Sequence, residues 1–294
     1  MMSTMHQIEL KARAKINLTL DVLGKRPDGY HDVEMIMQSI NLYDHITIRK
    51  MRAPGIKLKT NLKWLPEDGK NLAYKAAQLM TETYSIKDGI LIELQKRIPV
   101  AAGLAGGSSD AAAVFVGLNA LFNLNIPKKE LMGLGVRLGA DIPYCILRGT
   151  ALARGIGEKL TKLPPMPFCY LVIAKPSINV STAYIYKNLK LNELSLRPDT
   201  KKVIEGIEKG DLNLIAKNLG NVLESVTIKE YPAIDRIKQT MVEYGALGAL
   251  MSGSGPSVYG IFEEKKQAQA VSKELKLHNK AKDVFVTTIF NRER

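Results

Sequence analysis

Apolar and polar residues alternate with a period of two along several stretches of the chain, and this pattern predicts strands. Over residues 89–97, for example, Ile90, Ile92 and Leu94 share one face of a predicted half-buried strand. The other predicted strands cover residues 8–20, 33–48, 169–174, 247–251, 258–262 and 284–290. Residues 144–161 are predicted to form a hairpin that turns at residues 148–150.

Helical spacing of apolar residues alternates with these strands. Asn71 is a candidate N-cap for a helix over residues 71–84. Pro232 lies at the first turn of an amphipathic helix that is predicted to turn Tyr244 inward and to end at Gly245. The other predicted helices cover residues 111–122, 128–138, 182–190, 200–209, 211–224 and 264–277. Single strands and helices that alternate with hairpins predict an α+β fold with a mainly antiparallel sheet.

The chain is long enough for two domains. It has 294 residues, and domains commonly contain about 100–200 residues. Three prolines fall within residues 162–167, a segment that cannot continue a helix or a central strand. We therefore predict one domain over residues 1–163 and a second over residues 164–294.

Composition narrows the class of partner. With 46% hydrophobic and 24% charged residues, the chain is typical of a folded globular protein. Its 42 basic and 29 acidic residues leave a net charge of +13, which favours nucleic acid, anionic lipid or a phosphorylated small molecule as the partner. The positive charge is spread along the sequence rather than clustered, which disfavours nucleic acid. No segment has the composition of a membrane span or a signal peptide, so we expect a cytoplasmic protein.

A metal held by protein ligands is not expected. The four histidines are scattered and show no His-Glu-x-x-His spacing. Cys145 and Cys169 each lie in an apolar run and have no zinc-ligand spacing, so they are interpreted as buried, reduced thiols.

A glycine-rich segment over residues 99–110 joins a predicted strand to a predicted helix. Glycines allow positive φ angles and a close approach to a ligand, and the free N–H groups of a helix start attract phosphate. Ser108 and Ser109 add hydroxyl groups at the first helical turn. The segment fits neither the Walker A pattern nor the dinucleotide fingerprint. It is interpreted as a phosphate-binding loop, with a flexible, tightly packed connection as the alternative.

Other polar groups admit a structural and a functional interpretation. Lys15 and Asn17 share one strand face. Either this face is buried, where the lysine would need an anionic partner or ligand, or it is an exposed face of an edge strand. Tyr30 and His31 follow a turn and suit a planar base, but from the residues alone a surface turn with a half-buried Tyr30 is the favoured interpretation. Asp141 lies between a predicted helix end and a predicted apolar strand, where it would cap or turn the chain or act as a general base; its spacing alone favours the structural role.

The connection over residues 251–257 is too long for a two-residue hairpin and offers free amides and hydroxyls. It is either a second anion-binding loop or a plain flexible connection.

Taken together, these motifs resemble the GHMP kinases, the family of galactokinase and of homoserine, mevalonate and phosphomevalonate kinases. The resemblance covers about residues 10–262 and rests on residues 14–18, 27–31, 99–109, 139–143 and 251–257. It implies an N-terminal domain like domain 2 of ribosomal protein S5, a ferredoxin-like C-terminal domain, and an active site in the cleft between them.

The resemblance also implies roles for individual residues. Asp141 matches the catalytic base of the family, and Lys15 matches the lysine that steadies the developing alkoxide. It further implies ATP as phosphate donor, with Mg²⁺ carried mainly by the nucleotide and by Ser108 or Ser109. The residues that match the ATP site are Pro99, Val100, Ala101, Ala102, Gly103, Leu104, Ala105, Gly106, Gly107, Ser108 and Ser109, together with Lys96 and Asn71.

The acceptor implied by the resemblance is a small molecule, a cytidine-diphospho sugar alcohol, with no nucleic acid or membrane partner. The residues that match its site are Asn17, Tyr30, His31, Thr182, Tyr186, Gly253 and Ser254. Two alternatives remain at this point: another small-molecule kinase of the same family, and an S5-like RNA-binding protein.

Overall fold

The computed structural model describes residues 6–194 and 196–291. These residues form two compact units. The first unit contains the described residues up to 14 and residues 43–100 and 105–147; the second contains residues 15–42 and 101–104 and the described residues from 148 onward. This division crosses two long strands and the glycine-rich loop, so the two units are not consecutive segments of the chain. It therefore does not test the domain boundary predicted between residues 163 and 164, which stays a prediction.

The strands and helices follow the alternation expected from the sequence. The strands are β1 (Gln7–Lys25), β2 (His31–Met51), β3 (Ile56–Thr60), β4 (Gly89–Gln95), β5 (Thr150–Arg154), β6 (Lys159–Lys162), β7 (Tyr170–Lys175), β8 (Gly220–Asn221), β9 (Gly248–Met251), β10 (Val258–Phe262) and β11 (Asp283–Thr288). The α-helices are α1 (Leu72–Tyr84), α2 (Gly106–Leu121), α3 (Lys128–Val136), α4 (Ile142–Leu147), α5 (Thr182–Asn188), α6 (Thr200–Lys209), α7 (Leu212–Lys217), α8 (Glu224–Glu230), α9 (Ala233–Glu243) and α10 (Lys265–Leu277).

The larger sheet has the strand order β3-β4-β2-β1-β8, and β5 and β6 continue from β2. In the first unit, the C-terminal half of β2 pairs antiparallel with β4, from His45 opposite Gln95 to Met51 opposite Gly89. Helix α2 packs on this part of the sheet through Gly117, where an added Cβ would lie 2.6 Å from the Cδ1 of Ile48. The glycine is therefore needed for the close approach of helix and sheet.

The second unit contains a four-stranded antiparallel sheet in the order β11-β7-β10-β9. Counted along the chain, its strands lie in the spatial order 4-1-3-2, and helices separate the first from the second strand and the third from the fourth. This is the βαββαβ pattern of a ferredoxin-like domain, as expected. The α+β fold class is confirmed. None of the described helices is long and apolar enough to cross a membrane.

Three local predictions were wrong. The apolar residues before the hairpin form helix α4 rather than a strand, and the hairpin of β5 and β6 turns at residues 155–158 instead of 148–150. A short apolar run does not distinguish a strand from a buried helix by its period, and Pro143 fits the first turn of a helix. The helix predicted over residues 211–224 is interrupted by β8, and Tyr244 is 39% exposed instead of pointing into the core.

Candidate active site

The glycine-rich loop contains three residues in the left-handed backbone conformation. Ala101, Gly103 and Ala105 have φ angles of 51°, 74° and 55°, in the left-handed region that is costly for alanine. Such strained residues cluster at ligand-binding sites. Helix α2 begins directly after Ala105, and no side chain of the described residues caps it. The N–H groups of its first turn are therefore available to an anion.

Gly103 is required for a close approach between the loop and the connection over residues 251–257. An added Cβ at Gly103 would lie 2.1 Å from the carbonyl oxygen of Ser252. The hydroxyl of Ser252 donates a hydrogen bond of 2.9 Å to the carbonyl oxygen of Gly103. Residues 101–104 are thereby held against the second loop within the second unit.

The two serines of the first turn of α2 differ in exposure. Ser109 is 2% exposed, and its hydroxyl donates to the carbonyl oxygen of Arg13. Ser108 is half-buried. Of the two, Ser108 is the one whose hydroxyl is more accessible to a ligand.

Lys96 and Asn71, both predicted at the ATP site, have defined partners in the structure. The Lys96 ammonium forms buried ion pairs with the carboxylates of Asp44 and Asp110. The side-chain oxygen of Asn71 accepts from the N–H of Ala73 at 2.9 Å, which confirms it as the N-cap of α1. Their roles toward ATP stay predictions.

Lys15 and Asn17 are both buried on β1. The Lys15 ammonium donates a hydrogen bond of 2.8 Å to the side-chain oxygen of Asn17, and the N–H of Gly253 donates to the same oxygen at 3.0 Å. The amide nitrogen of Asn17 lies 3.2 Å from the sulfur of Met35. Asn17 therefore links the lysine to the second loop.

Mainly neutral hydrogen bonds hold the second loop, residues 251–257, although the N–H of Met251 also donates to the carboxylate of Glu224 at 2.8 Å. The side-chain nitrogen of Asn221 donates to the carbonyl oxygens of Met251 and Gly253, at 2.9 and 2.8 Å. The hydroxyls of Ser254 and Thr182 lie 2.7 Å apart. These contacts bring together three of the residues predicted at the substrate site, namely Thr182, Gly253 and Ser254.

Two aromatic rings predicted at the base-binding site lie side by side. The rings of His31 and Tyr186 have centroids 5.1 Å apart and are tilted by 41°. Burial, and to a smaller degree the charge of Lys25, lowers the pKa of His31, so its imidazole is neutral at pH 7. Tyr30, on the adjacent turn, is 58% exposed. The second unit thus contains an exposed ring and a neutral imidazole next to a second aromatic ring.

Asp141 directly precedes helix α4 in the first unit and is half-buried. Its carbonyl oxygen accepts the N–H of Cys145 at 3.0 Å, which is the first hydrogen bond of that helix. Its predicted role as catalytic base stays a prediction.

Asp44 and Asn221 were not singled out from the sequence. Asp44 is the charged residue on the inward face of β2, where its neighbours Leu42, Ile46 and Ile48 are apolar and buried. A charged residue at such a position needs a buried partner, so the alternation itself contained the signal. Asn221 lies in a two-residue strand, which is too short for any periodic signal.

Comparison with known proteins agrees with these observations. Residues 71–149 match the description "GHMP kinases N terminal domain", and residues 203–281 match "GHMP kinases C terminal". The first range begins at the cap of α1 and includes the glycine-rich loop and Asp141. The chain belongs to the GHMP kinase family.

Within this family, the similar proteins share one name. The chain is 54% identical to the 4-diphosphocytidyl-2-C-methyl-D-erythritol kinase of Lachnospira eligens, over 97% of this chain and 99% of the relative. It is 56% identical to the enzyme of the same name from Acetivibrio thermocellus, over 96% of this chain and 99% of the relative. A crystal structure of 4-(cytidine 5'-diphospho)-2C-methyl-D-erythritol kinase superposes with a TM-score of 0.84 and 31% identity, over 97% of this chain and 100% of that one.

Proposed function

We propose that this protein transfers the γ-phosphate of ATP to the C2 hydroxyl of 4-(cytidine 5'-diphospho)-2-C-methyl-D-erythritol, a step of the non-mevalonate route to isoprenoid precursors. The shared name of relatives that are 54% and 56% identical supports the choice of acceptor. The observation that supports ATP as the phosphate donor is the glycine-rich loop, with three left-handed residues before the uncapped start of α2.

The loop fits a nucleotide phosphate because it supplies backbone N–H donors and has few large side chains that would block a close approach. Left-handed residues turn successive N–H groups toward one side, and the first turn of α2 adds further N–H groups and the positive end of the helix dipole. In phosphoryl transfer, positioning and neutralisation of charge provide most of the rate, so a cradle of backbone amides suits the reaction.

Mg²⁺ would be held by the nucleotide and by the hydroxyl of Ser108. When bound, the ion neutralises negative charge on the β- and γ-phosphates. The described residues contain no cluster of three or more His, Cys, Asp or Glu side chains suited to a metal. The hydroxyl of Ser109 and the carboxylate of Asp110 already have protein partners.

The cytosine would bind near His31, Tyr30 and Tyr186. A neutral imidazole is both a donor and an acceptor of hydrogen bonds, so His31 is able to recognise the edge of a base. Tyr30 is exposed enough to stack on a planar ring. Thr182 would add a polar contact with the substrate.

In the transfer step, Asp141 would accept the proton of the C2 hydroxyl while the oxygen of that hydroxyl bonds to the γ-phosphorus. The bond between that phosphorus and the oxygen bridging to the β-phosphate breaks, and ADP leaves with the bonding electrons. Lys15 would stabilise the negative charge that develops on the attacking oxygen. Asn17, which accepts a hydrogen bond from the Lys15 ammonium, keeps that ammonium oriented.

The substrate assignment is tested by a coupled assay of ADP release. The cytidine-diphospho substrate is compared with mevalonate, homoserine and galactose at equal concentrations. We expect turnover with the cytidine compound and none above background with the other three. Turnover with one of the others alone would contradict the assignment.

The base is tested by Asp141→Asn, which keeps the shape of the side chain but removes its ability to accept the proton. A general base contributes about 10²–10⁴-fold to a rate, so kcat should fall by that factor while ATP still binds. The matched control is Asp211→Asn, which changes an exposed aspartate at the start of α7. Full activity of Asp141→Asn would exclude Asp141 as the base.

A further inference from the structure

Three charged side chains are buried together at the base of the glycine-rich loop. Lys96 follows the end of β4, Asp44 lies on β2, and Asp110 lies near the start of α2. The Lys96 ammonium contacts one carboxylate oxygen of Asp44, and it lies 2.7 Å from the Oδ2 of Asp110. The three side chains are 4%, 0% and 3% exposed. We call this cluster the Lys96 clasp.

The clasp binds the chain on both sides of the loop. On the entering side, the second carboxylate oxygen of Asp44 accepts the N–H groups of Arg97 and Ile98, the latter at 2.8 Å. On the leaving side, Asp110 belongs to the helix that begins at Gly106. One ammonium group therefore joins the last residues before the loop to helix α2, which follows it.

Gly106 shows how closely the loop packs against the clasp. A Cβ added at this residue would lie 3.2 Å from the Lys96 ammonium and 3.1 Å from the Cγ2 of Ile98. Such contacts are tighter than side chains normally make, so the first residue of α2 is fitted to the position of the ammonium.

The loop needs support of this kind. Ala101 and Ala105 are held in the left-handed region, and each such residue costs about 1–3 kcal/mol unless the surrounding structure imposes the conformation. Ionic hydrogen bonds in a buried environment are strong enough to fix both ends of the segment that contains them.

We propose that the Lys96 clasp holds the glycine-rich loop in its phosphate-binding conformation, and that Lys96 is a positioning residue for ATP rather than a ligand of the adenine base. The proposal rests on the proposed function in one respect, that this loop binds the phosphates of ATP.

The charges of the clasp favour this role over direct contact with a ligand. Two carboxylates surround one ammonium, so the positive charge of Lys96 is already neutralised within the protein. The Oδ1 of Asp110 is buried and has no hydrogen-bond partner among the described residues. Burial raises the pKa of Asp110 well above its usual range, against the opposing effect of Lys96. A neutral amide at this position should therefore be tolerated.

The test compares nucleotide binding by Lys96→Met, Asp110→Asn and the unaltered protein. Titration calorimetry with ATP and with GTP gives Kd for each nucleotide in the absence of the cytidine compound. If Lys96 acts through the loop, Lys96→Met weakens both nucleotides by the same factor, about 10- to 100-fold, because both bind through their phosphates. Asp110→Asn should change either Kd by less than about threefold.

The control variant is Lys280→Met, which removes an ion pair with Glu274 in the second unit. It should leave both nucleotide affinities within about twofold of the original. Lys96→Arg keeps the positive charge but changes its position. If Lys96→Met does not fold, the ATP and GTP affinities of Lys96→Arg are compared instead. Its expected result is an intermediate loss with an unchanged ratio of ATP to GTP affinity.

Three results would overturn the proposal. The first is unchanged ATP affinity in folded Lys96→Met or Lys96→Arg, and the second is a loss confined to ATP, which would make Lys96 an adenine ligand. The third is a loss of ATP affinity in Asp110→Asn that occurs only with Mg²⁺ present, which would make Asp110 a metal ligand. Because binding is measured without the acceptor, these results are independent of whether the cytidine compound is the substrate. Failure of the substrate assay with intact ATP binding would contradict only the proposed function.

Discussion

The two glycine-containing loops of this protein are held in chemically different ways. At the base of the first loop, residues 99–109, three buried charges form the Lys96 clasp. The second loop, residues 251–257, is held mainly by neutral groups: the amide of Asn221, the amide of Asn17 and the hydroxyl of Thr182. One partly buried carboxylate, that of Glu224, also accepts the N–H of the loop's first residue, Met251, at 2.8 Å. Both arrangements satisfy buried polar atoms, but only the first is built on charged side chains that pair with one another while almost fully buried.

This difference has consequences for stability. Removing one member of a buried ion pair leaves an uncompensated charge, which is far more costly than the loss of a neutral hydrogen bond. The first loop should therefore respond strongly to single substitutions and to pH. The second loop should respond weakly, with small contributions from several residues.

The largest effect is expected for Asp44→Leu. The substitution leaves the Lys96 ammonium with one carboxylate and removes the acceptor of the Arg97 and Ile98 N–H groups. One ionic hydrogen bond is lost and two N–H groups are left without an acceptor, at roughly 1–3 kcal/mol each, so the free energy of unfolding in urea should fall by about 3–5 kcal/mol.

The control for Asp44→Leu is Arg49→Met, which breaks an ion pair with Glu93 on the same sheet. Its side chains are 49% and 39% exposed, so the loss should be no more than about 1 kcal/mol. Equal effects of the two variants would show that the clasp is not a strong stabilising element.

Next in size is Asn221→Leu. The change leaves the carbonyl oxygens of Met251 and Gly253 without their donor, and the N–H of Leu223 without its acceptor. Each buried polar group left unsatisfied costs roughly 1–3 kcal/mol, but relaxation toward water reduces the sum, so we expect a loss of about 2–3 kcal/mol.

Urea unfolding of Asn221→Leu is compared with Asn188→Ala, which removes one exposed side-chain contact at the end of α5. The control should be near neutral. A larger loss for Asn221→Leu than for Asp44→Leu would reverse the comparison between the loops.

The comparison also shows which parts of the molecule the sequence predicts. Helix α1 and its cap Asn71 were correct because the signal lies within one helical turn. The glycine-rich loop was recognised because its glycines and the following helix are consecutive in the chain. Local chemistry was sufficient in both cases.

The clasp could not be predicted in the same way. Asp44 and Lys96 are 52 residues apart. Asp44 occupies an inward position in β2, and Lys96 continues the inward face of β4 one residue beyond its end; the pattern around each is otherwise apolar. The alternation shows that each needs a buried partner, but only the pairing of β2 with β4 brings the two strands together. Helix α4 was mistaken for a strand because a run of six apolar residues has no decisive period.

A third prediction concerns pH. Burial raises the pKa of Asp110 well above its usual range, although Lys96 opposes the shift; Asp44, also in the cluster, raises it further. A carboxyl whose pKa is higher in the folded state binds its proton more tightly there. Its contribution to stability is fully present below the unfolded-state pKa of about 3.9 and is lost as pH rises through the folded-state value.

Asp110→Asn removes this titration. Above about pH 4, the free energy of unfolding should therefore fall less with rising pH in this variant than in the unaltered protein. Asn221→Leu, which removes a neutral support of the second loop, and Asp88→Asn, which changes an exposed aspartate, should keep the original slope. An unchanged slope in Asp110→Asn would mean that Asp110 does not titrate in this range.

The smallest expected effect concerns the contact between Thr182 and Ser254, whose hydroxyl oxygens lie 2.7 Å apart. Thr182→Val and Ser254→Ala each remove one partner, and the double variant removes both. Because Thr182 is exposed, water replaces part of the lost bond, and the coupling energy from the double-mutant cycle should be about 0.5–1 kcal/mol. A coupling above the loss in Asp44→Leu would contradict the view that the second loop is held by many weak, neutral contacts. If both residues also contact the cytidine compound, KM for that compound should rise in each single variant while KM for ATP stays unchanged, which separates a substrate contact from a purely structural one.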